Sequence, residues 1–117
     1  MKKKDVISKN YLDKIPIRPD EINWSKDDEG MVTLDIENKG FFNMLAQKFF
    51  HKPRISHIHL DKMGSFVWPH IDGETDISDL GLLVKEEFGD EANPLYERLV
   101  KYFQVLDSYG FVVWKSE

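Results

Sequence analysis

The chain contains no cysteine. That absence excludes disulfides, thiolate zinc sites, iron–sulfur clusters and a cysteine nucleophile at once. It also favours a reducing compartment, because small extracellular domains often depend on disulfides. No apolar run reaches the ~20 residues of a membrane-spanning helix. The basic opening Met1-Lys2-Lys3-Lys4 is not followed by the apolar stretch of a signal peptide. The expected location is cytoplasmic, with no membrane partner. Gly-rich phosphate loops and dinucleotide fingerprints are missing, and Ser65 and Ser78 stand in no nucleophile-elbow pattern. The expectation is a protein that is not an enzyme and carries no cofactor.

What is present is ordinary for a folded soluble domain. Hydrophobic residues make up 41% of the 117, too many for a disordered chain, and the length suits one domain. Eight Phe, four Tyr and three Trp supply a large aromatic core. The net charge of -5 is unevenly spread: residues 1–62 hold twelve Lys/Arg against ten Asp/Glu, residues 63–117 four against eleven.

Residues 1–21 read as a polar arm in which Pro16 and Pro19 prevent regular structure, and residues 22–117 as the domain. Ile22 to Ser25 reads as a short strand, and Asp27-Asp28-Glu29-Gly30 as a turn. Val32, Leu34 and Ile36 alternate with Thr33, Asp35 and Glu37, the period of a strand with one buried face. Phe42, Leu45, Ala46 and Phe49 fall at helical spacing, predicting a short helix over 41–52. Ile55 to Leu60 returns to period two, with Ile55, His57 and His59 on one face and Ser56, Ile58 and Leu60 on the other.

Three helices follow. The first carries Phe66, Val67 and Ile71 and is shortened or bent by Pro69. The second has Asp76 as N-cap and Asp79 in its first turn, and Gly89 stops it. Gly81 inside it, costing about 1 kcal/mol relative to Ala, marks a close approach by a neighbour. The third is read with Asn93 as cap, Pro94 at its first position and Gly110 at its end. Its stripe of Leu95, Leu99, Tyr102, Leu106 and Tyr109, with Tyr96, Val100 and Phe103 beside it, is wide enough to serve a core on one flank and a groove on the other. Phe111 to Trp114 reads as a terminal strand. The order is that of an α+β fold with a small antiparallel sheet and a helical half.

The run Ile58-His59-Leu60-Asp61-Lys62-Met63-Gly64-Ser65-Phe66-Val67-Trp68, then Ile71-Asp72-Gly73, then Asp76-Ile77 leading to Leu83-Val84-Lys85-Glu86-Glu87-Phe88, resembles the PqqD family. So does the stretch Leu99 to Gly110 that ends Leu106-Asp107-Ser108-Tyr109-Gly110-Phe111. The likeness covers roughly residues 22–114. It implies a winged-helix-like arrangement, a three-stranded antiparallel sheet followed by three helices. The segment 41–52 is an extra short helix before the third strand, which the shortest members lack.

The resemblance further implies a non-catalytic module, also called the RiPP recognition element. Such a module binds the leader segment of a ribosomally made precursor peptide and presents it to a modifying enzyme, often a radical-SAM protein. In the family the leader adds as a strand to the edge of the third strand, in a cleft against the third helix. Carried onto this sequence, the edge is Ile55, Ser56, His57, Ile58, His59 and Leu60. The cleft wall draws on Leu95, Leu99, Tyr102, Phe103 and Leu106. An open strand edge offers N–H and C=O groups to an extended peptide, so the chemistry suits the task.

Two other readings compete. His57 and His59 share a strand face, but a metal site needs at least one more ligand, from His51, His70 or a carboxylate. No metal is expected. A winged helix that regulates DNA is the main alternative in function. It calls for a basic reading face, whereas the second helix carries Glu86 and Glu87, with Asp90 and Glu91 beyond, against Lys85 alone. No nucleic acid is expected. The basic residues cluster from Lys48 to Arg54, beside the proposed edge, where they would attract an acidic leader. An exposed edge also allows a homodimer.

Overall fold

A computed structural model describes residues 9–38 and 54–116. Its centre is the antiparallel sheet that the period-two segments form. Strand β2 (Asn23–Lys26) pairs with β3 (Val32–Asn38), setting Trp24 opposite Leu34 and Ser25 opposite Thr33. The turn between them closes on Asp27. Its carboxylate accepts the N–H groups of Glu29 and Met31 at 2.9 Å, and Gly30 takes φ 85°, a region costly for other residues. Strand β4 (Arg54–His59) pairs with the other side of β3, so the order is β2-β3-β4. Val32 and Leu34 are fully buried on one face, while Asp35 and Thr33 point to the other. The helix expected over 41–52, with Lys48 and Lys52 of the basic cluster, lies outside the described residues.

The helices cover the buried face. Helix α2 (Lys62–Val67) starts at Asp61, whose carboxylate accepts the Gly64 N–H at 2.7 Å. Pro69 ends it by sitting in the 3-10 turn Trp68–His70. Helix α3 (Ile77–Phe88) is capped as its sequence predicts, with the Asp79 N–H donating to Asp76 at 2.8 Å. Helix α4 (Leu95–Ser108) follows a second 3-10 turn, Gly89–Ala92. Asn93 is not its cap. That residue belongs to the preceding turn, its N–H donating to Asp90 O at 3.1 Å, and the first helical bond is accepted by Pro94 O from Arg98. Pro94 therefore occupies the N-cap position, without a side-chain bond.

Trp68 and Phe103 fill the centre of the core, surrounded by Leu34, Ile71, Ile77, Leu80, Leu99 and Val100. At Gly81 the Tyr96 ring of α4 packs tightly against α3. A Cβ there would meet the Tyr96 ring at 2.5 Å. Ser65 is the buried polar residue at the end of the sheet. Its hydroxyl accepts the Val32 N–H at 2.8 Å and donates to Leu60 O at 3.2 Å, continuing the β3–β4 ladder where the strands part.

The N-terminal segment departs from expectation. A short helix α1 (Lys9–Leu12) leads to β1 (Pro16–Ile17), which pairs antiparallel with β5 (Val113–Trp114). Pro16 does not prevent structure here, because the first position of a two-residue edge strand does not need the missing N–H. Tyr11 packs edge-on against Trp114 with ring centroids 6.0 Å apart. The Lys14 ammonium lies 5.6 Å from the Tyr11 ring centroid and 5.0 Å from that of Trp114. A backbone bond from Ile77 N to Lys14 O, at 3.0 Å, fastens the segment to the start of α3.

Candidate functional site

Strand β4 is an edge: among the described residues no strand pairs with its outer side. Which residues serve that edge follows from the hydrogen-bond phase. The Leu60 N–H donates to Val32 O at 2.9 Å, marking 60 and 32 as a hydrogen-bonded pair. Such pairs alternate along an antiparallel ladder. Ser56 and Ile58 therefore direct their backbone groups to Ile36 and Leu34 on β3. Ile55, His57 and His59 turn their N–H and C=O outward. The edge thus presents three evenly phased donor–acceptor positions along one line.

A groove of about 830 Å³ runs beside this edge, between β4 and α4. Its sheet side is Ile36, Ser56, Ile58, His59 and Leu60, and its helix side Tyr102, Val105, Leu106 and Tyr109. Met63 and Phe111 complete the apolar lining. Large apolar side chains stand open to solvent here: Ile58 is 37% exposed, Val105 42% and Tyr109 69%. Glu97, Arg98, Lys101 and Asp61 form a polar rim. Arg98 is tied by Nη1 to Glu91 O at 3.0 Å, and Asp61 is engaged in capping α2.

Tyr102 fixes the helix wall against α2. Its hydroxyl donates to Gly64 O at 3.0 Å, and its ring passes so close to Gly64 that a Cβ there would lie 2.8 Å from Cε1. Burial, aided by the Asp61 carboxylate, pushes its phenol far above the ordinary range. Tyr109 and Phe111 stack at 5.5 Å and close the end of the wall.

The residues expected at the site divide into three groups. Ser56, Ile58, His59, Leu60, Tyr102 and Leu106 line the groove together. Ile55 and His57 sit on the same edge with their side chains on the opposite, solvent side of the sheet, where the His59 ring also lies against Thr33 although that residue borders the groove. Leu95, Leu99 and Phe103 are buried in the core and do not line the groove. Sequence reasoning missed Val105, Tyr109, Arg98 and Lys101, although they continue the face of Tyr102 at spacings of three and four.

The two histidines are engaged across the sheet. His57 Nδ1 lies 2.7 Å from Asp35 Oδ1, and His59 Nδ1 lies 3.0 Å from Thr33 Oγ1. His70 Nδ1 instead pairs with Phe66 O at 2.8 Å. Among the described residues, no group of three or more His, Asp or Glu could hold a metal ion, and no helix is long and apolar enough to cross a membrane.

The sequence profile of the family described as "Coenzyme PQQ synthesis protein D (PqqD)" matches residues 30–112. The chain belongs to the PqqD family. The match runs from the β2–β3 turn to the residue before β5, so it contains β4, α4 and the groove between them. PqqD proteins are a non-catalytic, peptide-binding family. The β1 strand that closes on β5 lies outside the matched span. Searches of the curated proteins and of the solved structures returned no match.

Proposed function

We propose that this PqqD-family chain binds the leader segment of a ribosomally made precursor peptide by strand addition along β4. It then presents that peptide to a modifying enzyme of the radical-SAM type, in the cytoplasm. The observation that carries this reading is the juxtaposition of an outward-phased strand edge with an apolar groove. Backbone groups of Ile55, His57 and His59 supply sequence-independent affinity. The floor of Ile58 and the wall of Tyr102, Val105 and Tyr109 supply pockets for every second side chain. An extended peptide of five or six residues spans β4.

Among the described residues, the helical face does not favour a DNA duplex. The exposed residues of α3 and the turn after it include Asp79, Glu86, Glu87, Asp90 and Glu91, a face that repels phosphates.

The test is an NMR titration of the labelled protein with synthetic leader peptides of the precursors encoded beside its gene. The expected result is shift changes at the amides of 55, 57 and 59 and along 98–109. Changes confined to other surfaces would overturn the reading.

A further inference from the structure

The phase of β4 also fixes what happens to the peptide side chains that do not enter the groove. Opposed residues of neighbouring strands place their side chains on the same face. Peptide residues opposite Ser56 and Ile58 point into the groove. The residue between them, opposite His57, points to the solvent face, where Asp35 and His57 meet. The His57 side chain is 62% exposed and that of Asp35 34%.

An ionised carboxylate only accepts hydrogen bonds, so Asp35 fixes the proton of a neutral His57 ring on Nδ1. The lone pair is then left on Nε2, on the side of the ring turned away from β3.

We infer that His57, oriented by Asp35, forms a second reading row on the outer face of the sheet. It selects a hydrogen-bond donor side chain, a hydroxyl, carboxamide or ammonium, at the peptide residue opposite it. This rests on the strand-addition reading and adds to it. The groove reads apolar side chains at alternate positions, and His57 reads the position between them. His59, held by Thr33, gives no such preference, because a hydroxyl both donates and accepts and leaves either tautomer available.

A display library of randomised seven-residue peptides tests this, panned at pH 8, above the range in which histidines generally charge. The baits are the full chain and its His57→Ala and Asp35→Ala variants. Both substituted side chains face solvent, and circular dichroism checks that the variants fold. The expected result is two apolar anchors separated by one position, with Ser, Thr, Asn, Gln or Lys enriched there about fivefold, the scale of one net hydrogen bond. Both variants should lose that enrichment and keep the apolar anchors. Anchors without a preference between them, or a preference that survives His57→Ala, would overturn the inference alone. A wild-type chain that enriches no peptide would overturn the strand-addition reading and this inference together.

Discussion

Tyr102 joins three parts of the molecule: its backbone belongs to α4, its hydroxyl reaches Gly64 in α2, and its ring lines the groove. Tyr102→Phe removes one hydrogen bond to a carbonyl and is expected to cost about 1 kcal/mol in a denaturant melt. Gly64→Ala is expected to cost more, about 1–3 kcal/mol, because the new methyl meets the Tyr102 ring in a packed region. Ser65→Ala belongs to the same class, since it leaves the Val32 N–H and the Leu60 C=O without their shared partner. The tyrosines also set an alkaline limit. Burial, with Asp107 adding to it, pushes Tyr11 up to about 12, and burial raises Tyr102 further. Both groups hold their protons more tightly folded than unfolded, so the stability they contribute is full below pH 10. It is lost progressively as pH rises above 10, through about 12 for Tyr11 and still higher for Tyr102. Absorbance titration should therefore find two of the four tyrosines ionising late, together with unfolding.

Among the elements, β4 was the most legible, and its phase was not. Period two assigns Ile55, His57 and His59 to one face, as the fold has them. It does not say which residues bond inward, because that depends on how β4 registers against β3. The register decides what Ile58→Pro would do. The register makes Ile58 an inward-bonding residue, so this proline is expected to disrupt the β3–β4 ladder and lower the melting temperature. His57→Pro is the informative change. Its N–H faces the open edge, where proline is tolerated, so the variant should remain folded while peptide affinity falls at least tenfold by calorimetry. Helix α4 shows the complementary limit. Its wide apolar arc announced two flanks, but only the packed helix shows that Leu95, Leu99 and Phe103 take the core side. Tyr102, Val105 and Tyr109 take the groove side.

The whole molecule is a sheet-and-helix body tied at its ends by β1 and β5. Phe111 to Trp114 reads as a strand, but its partner does not: two-residue β1 carries no periodic signal and Pro16 argues against structure there. This closure matters to the site because β5 directly follows the Tyr109–Phe111 wall. Tyr11→Ala, which removes the ring packed against Lys14 and Trp114, should increase amide exchange over 109–115 and leave α3 protected, whereas Tyr11→Phe should behave like wild type. Strand addition requires an outward-phased edge that accepts a strand. The most direct measurement is residue-resolved amide hydrogen exchange of β4, with and without a bound leader peptide. Ile55, His57 and His59 are expected to exchange rapidly in the unbound protein and to become protected with peptide, while Ser56, Ile58 and Leu60 are protected in both states. A peptide that binds and leaves the exchange of residues 55, 57 and 59 unchanged would contradict strand addition at β4.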